Sequence, residues 1–313
     1  MGRYIFGRLL AIVPVLMLVA LLTFLLIYFT PGDPAAVMLG TEATPERIAD
    51  LREELGLNKP FLERFIDWGI RVLHGDLGRS YFLNRPVTTS ILERLPATFT
   101  LAISSLILAI IIGVPLGITA AVKQGTFFDG SIMTFAIIGV SIPRFWFGLL
   151  IMILFSVKLG WLPTGGYIPL TENFLEGLKR LIMPAMSLGF AQAALIARMT
   201  RSSMLEVIRQ DYIITARAKG LKEFVVITKH VFMNITINLI TIVGLSFGVL
   251  LGGAVIVETV FVYPGVGRLV VQAVQSRDYP LIQGILLLVA SSYVLVNLLT
   301  DLLYPVFDPR MRD

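Results

Sequence analysis

Six runs of about twenty apolar residues dominate this chain, at 9–29, 97–122, 131–157, 181–200, 237–260 and 281–305. The hydrocarbon core of a bilayer is about 30 Å thick and a helix rises about 1.5 Å per residue, so each run can cross it. Lipid offers no water to backbone N–H and C=O groups, and the helix is the fold that satisfies them within one such run. Composition agrees. Of the 313 residues, 56% are hydrophobic and 15% charged, against roughly 25% charged in a soluble domain. The expected fold class is all-α, a polytopic membrane protein with six transmembrane helices. The first run follows Arg3 and Arg8 as a secretory signal would. It exceeds the roughly 7–15 apolar residues of a cleaved core and reads as a retained helix.

Basic residues orient the spans. The loop at 201–236 carries six basic and three acidic residues, a net +3, which predicts a cytoplasmic loop and, with six spans, two cytoplasmic termini. The loop at 31–96 has eight basic and ten acidic residues and is too long for the charge rule to weigh heavily. The expected organisation is residues 1–30 as cytoplasmic tail and first span, 31–96 as an extracytoplasmic loop with short helices, 97–305 as the transmembrane core, and 306–313 as a cytoplasmic tail. Within the outer loop, Thr44, Pro45 and Gly56 bracket a capped helix, and Pro60 to Gly75 repeats that logic. In the second of these helices Phe61, Phe65, Trp68 and Val72 share a face, while Glu63, Arg64, Asp67 and Arg71 lie largely away from it. That helix lies on the membrane or packs on other helices, and the loop covers the bundle or docks an external solute-binding protein. Ser90 and Glu93 read as a capping box before Pro96, at the start of the second span.

Small and charged residues inside the spans give further expectations. Gly244, Gly248 and Gly252 recur every four residues, baring one face of the fifth span for close helix packing; Gly113, Gly117 and Ala121 do the same on the second, which also holds Pro115. A charge at the bilayer centre costs at least about 2.5–3.5 kcal/mol, so Arg144, Glu258 and Asp301 are expected to face protein or water. Asp301 reads as an interfacial cap and Glu258 lies near an outer constriction. Arg144 points into the lumen, snorkels or forms a salt bridge. Arg144 and Glu258 are thus the candidates for a pathway or gate.

Other chemistries are excluded by what is missing. No GxxxxGK[ST] phosphate loop, HExxH or GxSxG occurs, so no catalytic residue is assigned. There is no cysteine, and His74 and His230 are isolated, which leaves no metal site and no cofactor in this chain. The net charge of +5 lacks the aromatic interleaving of a nucleic-acid surface. No internal repeat of the secondary-transporter kind is visible.

The segment DYIITARAKGL at 211–221, within the polar loop, resembles the cytoplasmic coupling loop of permease subunits in bacterial ATP-binding-cassette importers. Thr215 and Ala216 stand at that family's small-residue pair and Gly220 at its glycine; Ile214 replaces the usual acidic residue. GDLGRSY at 75–81, ILERLPATFTLA at 91–102, LGWLPTGGY at 159–167, VYPGVGRL at 262–269, RDYPLIQG at 277–284 and LVNLLTDLLYPVFDPRMR at 295–312 are similar, in that order, to the first permease subunit of dipeptide and oligopeptide importers. The resemblance implies a type I importer permease fold in the bacterial cytoplasmic membrane. It also implies a homologous second permease, two cytoplasmic ATPases that bind ATP and magnesium, and an extracytoplasmic solute-binding protein. The cargo would be peptides, with nickel chelates or glutathione as alternatives. In this reading Asp211 caps a short helix, Gly220 stops it, and Tyr212, Ile213 and Arg217 meet the ATPase.

Overall fold

The structure, a computed structural model, describes residues 2–29, 33–40 and 43–307, with the side chains of 2–9, 26–28, 301 and 303–307 excepted. The basic flank of Arg3 and Arg8, the cap expected of Asp301, and residues 308–313 of the C-terminal tail lie outside the described residues.

The chain is all-α apart from one short hairpin. Its elements are α1 (Gly2–Tyr28), α2 (Pro34–Leu39), α3 (Pro45–Glu54), α4 (Phe61–Leu73), β1 (Arg79–Ser80), β2 (Arg85–Pro86), α5 (Val87–Leu92), α6 (Leu95–Val122), α7 (Phe127–Ser141), α8 (Arg144–Met152), α9 (Phe174–Ile208), α10 (Asp211–Ala218), α11 (Glu223–Val225), α12 (Met233–Val260), α13 (Val266–Gln275) and α14 (Tyr279–Phe307). Wide π turns extend α8 through Ile153–Lys158 and join α11 to α12 through Val226–Phe232. The stretches Val87–Val122, Phe174–Ile208, Glu223–Val260 and Tyr279–Thr300 are each long and apolar enough to cross a membrane. The pair α7–α8 makes a fifth crossing when taken together, and α1 contributes the apolar stretch Leu10–Leu25. The six expected spans fall on α1, α6, α7–α8, α9, α12 and α14.

One expectation changes here, because the third span is not continuous. α7 and α8 meet at a bend of 101°, since Pro143 has no N–H to donate and forces Ile142 into extended backbone, with ψ of 126°. The corner is filled from α9, whose Phe190 stacks on Phe147 of α8 at 4.3 Å and meets Phe135 of α7 edge-on at 5.4 Å.

α9 is the hub. It packs against α6, α7, α8 and α12, and 67% of its apolar window is buried within the chain, against 33% for α6. At 35 residues it is about 50 Å long, more than a bilayer core needs, and it carries its last turns beyond the 181–200 run into the polar loop. The α6–α9 seam is built from small residues. A side chain at Gly113 would strike Ala193 and Ile196, one at Gly117 would strike Ala197 and Thr200, and one at Gly189 of α9 would strike the Ser105 backbone of α6. The four-residue register read from the sequence is therefore the register of the closest helix pair.

The loop at 31–96 folds as its caps dictate. Thr44 accepts from the Arg47 N–H at 3.3 Å with Pro45 in the first turn. Gly56, at φ 63°, ends α3 by donating to Glu53 while Leu57 donates to Arg52. Gly75 and Asp76 close α4 in the same way on Val72 and Arg71. The capping box at Ser90 and Glu93 is absent: Ser90 lies inside α5, its hydroxyl donating to the Pro86 carbonyl at 3.0 Å, and Glu93 pairs with Arg85 at 2.7 Å. The antiparallel β1–β2 ribbon was not foreseen. Ser80 donates to Asp278 at 2.6 Å and the Phe82 N–H to the same oxygen at 3.0 Å, while Asp278 also accepts from the Leu281 N–H in the first turn of α14. Ser80 and Asp278 are both fully buried, so this clasp ties the loop at 31–96 to the start of α14.

Candidate coupling surface and translocation path

α10 is a short helix laid against the ends of three long ones. Ile213 and Ala216, three residues apart, are buried in one cluster with Ala121 of α6, Met204 of α9, Val226 and Val231 of the π turns that join α11 to α12, and Ile235 of α12. Ile214 and Thr215 on the opposite side and Tyr212 and Arg217 on the flanks are exposed, and Ile214 shows 57% of its surface. Gly220, at φ 76°, terminates the helix by donating to Arg217, and Leu221 donates to Ala216. Glycine is needed there because other residues are strained at that φ. Arg217 reaches across the turn to make two hydrogen bonds with Glu223, at 2.7 and 3.1 Å.

Two details of the sequence reading are corrected. Asp211 is not the cap; Gln210 precedes the helix without a side-chain bond and Asp211 is its first residue, where its charge suits the helix N-terminus. Ile213 is not on the presented face: it is fully buried and seats the helix. Ala216 is likewise a seat, so a bulky charge there would disrupt packing rather than a partner contact. The face actually presented is formed by Tyr212, Ile214, Thr215 and Arg217.

Arg144 is the first residue of α8, at the broken corner. Its carbonyl accepts from Ser187 of α9 at 2.8 Å, and its guanidinium lies against the bare backbone of Gly253 on α12 beside Leu188. Among the described residues the guanidinium has no hydrogen bond and no ion pair. It therefore adds an uncompensated positive charge to the N-terminal end of a half-helix inside the membrane region.

Glu258 is held differently. It is completely buried; its carboxylate accepts from Thr98 of α6 at 2.6 Å and from the Arg268 N–H of α13 at 2.9 Å, while the Thr98 hydroxyl accepts from Val266 N–H at 2.8 Å. Side chains at Gly265 or Gly267 would collide with the carboxylate. Glu258 thus satisfies the first turn of α13 from a neighbouring helix, a service usually performed by a capping residue within the chain segment itself. Just beyond it, Gly166 N–H donates to the Phe261 carbonyl at 3.0 Å and Tyr167 meets Tyr263 edge-on at 5.0 Å. The LGWLPTGGY and VYPGVGRL segments are knitted together here. Arg144 and Glu258 are not brought together: no ion pair joins them, and each has its own surroundings.

The glycine face of α12 divides. Gly244 packs on Thr300 and Gly248 on the ring of Tyr293, both of α14, but Gly252 faces open space. Gly253, which the four-residue pattern passes over, is the close contact for Arg144. Sequence reasoning also missed Thr98, Asp278 and the pair of Asp129 and Arg201, joined by two bonds of 2.6 and 2.8 Å between α7 and α9. Thr98 and Asp278 lie inside recognised segments, at 91–102 and 277–284, but their partners are 160 and 198 residues away. In the loop at 31–96, burial pushes the Tyr81 hydroxyl above its usual range, and its hydrogen bond to Glu54 adds to the shift.

A hub helix ringed by apolar spans, a broken third span and a short helix docked on the polar loop define a membrane permease of the type I importer fold. An inward-facing MetNI methionine ABC transporter structure shares that fold, with a TM-score of 0.58, 18% identity, and coverage of 69% of this chain and 95% of the other. The chain belongs to the binding-protein-dependent transport system inner membrane component family, which matches residues 113–313, with that family's N-terminal region matching residues 1–102. It is therefore a multi-pass inner-membrane permease subunit and not itself a catalyst. It is 44% identical to a putative peptide transport system permease protein of Brucella abortus (strain 2308), over 100% of this chain and 99% of that one. It is 45% identical to the dipeptide transport system permease protein DppB of Alkalihalophilus pseudofirmus over all of both chains. A glutathione transport system permease protein GsiC of Pectobacterium atrosepticum is 44% identical over 100% and 99%.

Proposed function

We propose that this chain is one of two homologous permease subunits of an ATP-driven importer that carries peptides inward by alternating access. Its partners are the second permease, two cytoplasmic ATPases that hold ATP and magnesium, and an extracytoplasmic binding protein; both termini are cytoplasmic. The observation that carries this reading is α10. Its inner face is buried in the ends of α6, α9 and α12, so a push on its outer face reaches three spans as a rigid body. Its outer face mixes an aromatic, an aliphatic and a basic side chain, the composition of a protein interface.

The cargo is argued from chemistry and from the relatives' names. Peptides, dipeptides and glutathione, the cargoes in those names, share a carboxylate-bearing end, and Arg144 supplies an unpaired guanidinium at a half-helix N-terminus within the span. In this reading Glu258 serves the pathway as the fixed hinge of the outer end and does not touch cargo. Arg144→Gln in the reconstituted complex tests the cargo assignment. Uptake of free dipeptide is expected to fall about tenfold, the equivalent of about 1.4 kcal/mol, while uptake of the C-terminally amidated dipeptide changes little. Equal losses for both would make Arg144 a packing residue.

A further inference from the structure

α4 has more apolar surface than its packing uses. Phe61, Phe65 and Trp68 close around Phe24 of α1 at ring separations of 5.5, 5.3 and 5.4 Å. Beside that edge runs a second stripe, Leu62, Ile66, Ile70 and Leu73, spaced by four, four and three residues, and all four are exposed at 50% or more, Leu73 at 87%. Glu63, Asp67 and Arg71 occupy the remaining arc, where Lys59 bonds to both carboxylates. A helix that only packed on the bundle would need one apolar edge and would turn the rest to water.

The position of α4 identifies what covers the second stripe. Phe24 lies within the apolar stretch Leu10–Leu25, and Leu18 and Leu22 of that stretch are exposed at 56% each, the lipid-facing surface of a spanning helix. Phe24 is four residues before the end of α1, so α4 docks about 6 Å below that end, at a level where its neighbour is still lipid-facing. Gln283 of α14 fixes the same level by donating to the Thr23 carbonyl at 3.0 Å. We propose that α4 is an interfacial helix whose Leu62, Ile66, Ile70 and Leu73 stripe is embedded in the outer leaflet at the boundary of headgroups and acyl chains. The charged arc faces water. Because that arc is balanced in sign, the attachment is apolar and does not depend on anionic lipid. Its consequence is mechanical: the outer loop is held at the membrane at one end by α4 and at the start of α14 by the Ser80–Asp278 clasp.

The chain has no cysteine, which makes a direct test available. Leu62→Cys, Ile66→Cys, Ile70→Cys and Leu73→Cys, with Glu63→Cys as the polar control, are spin-labelled one at a time in the assembled transporter in lipid nanodiscs. The unsubstituted complex supplies the labelling background. Collision with oxygen, which partitions into lipid, is compared with collision with a water-soluble nickel chelate. The expected result is an oxygen-to-nickel ratio several-fold higher at the four stripe positions than at Glu63→Cys, unchanged by the binding protein and by the fraction of anionic lipid. Nickel access at the stripe equal to that of the control overturns the proposal. So does loss of access to both reagents, which would assign the face to the second permease. Nickel access that disappears only on adding the binding protein would assign it to that protein. Four separate sites keep the test intact if one substitution prevents assembly.

Discussion

At the scale of single residues, the two intramembrane charges have opposite situations. Each carboxylate oxygen of Glu258 accepts a hydrogen bond, and removing a partner leaves a buried group unsatisfied, at a cost of about 1–3 kcal/mol. Thr98→Val, which orphans the Val266 N–H and one side of the Glu258 carboxylate, is expected to lower the thermal midpoint of the purified complex by several degrees. An unchanged midpoint would remove the clamp from the account. The glycines of α12 give a paired comparison. Gly248→Leu drives a side chain into the Tyr293 ring, an overpacking cost of about 1–3 kcal/mol, and should reduce complex recovered from membranes; Gly252→Leu enters open space and should not. Equal yields for the two variants would contradict the packing described between α12 and α14. The spacing of four identified all three glycines, but whether a neighbour sits opposite each is a tertiary fact. That is also why Gly253, out of phase with the pattern, escaped notice.

Among the elements, α10 was the most legible. Gly220 located its end, and the basic, apolar composition of 211–221 marked a contact segment. The sequence could not say which side faces in. A helix of 8 residues is too short for periodicity to choose between Ile213 and Ile214, and the choice is made by the pocket that α6, α9 and α12 form beneath it. The test follows from that division. Ile214→Lys, opposite in charge to the acidic residue usual at this place in such loops, is expected to leave the permease assembled while cutting ATP-dependent uptake by tenfold or more, on the order of 1.4 kcal/mol or above at the contact. Ile213→Glu buries a charge and should reduce the amount of folded subunit. Loss of assembly in Ile214→Lys, or wild-type uptake in that variant, would remove its outer face from coupling. The broken third span was half legible. Pro143 was visible, but a proline in an apolar run permits either a kinked helix or two half-helices, and the Phe190 wedge that accompanies the break comes from another helix.

For the whole molecule, hydropathy alone located the four long apolar helices, the bent pair α7–α8 and the shorter apolar stretch Leu10–Leu25 of α1, because lipid leaves a long apolar run few structures to adopt. What hydropathy could not supply is the arrangement. The hub position of α9, the clasp of Ser80 on Asp278 and the support of α13 by Glu258 all join residues far apart in the chain, and no local pattern encodes such pairings. The outer loop was legible through its capping residues and not through the Ser90 and Glu93 motif, which helix α5 absorbed. The proposed function requires this permease to move cargo only when ATPases push on α10. It is tested most directly by reconstituting the full complex, with its binding protein, in proteoliposomes and measuring uptake of labelled dipeptide with and without ATP, for the native chain and for Ile214→Lys. The expected result is uptake that requires ATP in the native complex and ATP hydrolysis without matching uptake in the variant. Uptake by this chain alone, or native-level uptake without ATP, would contradict it.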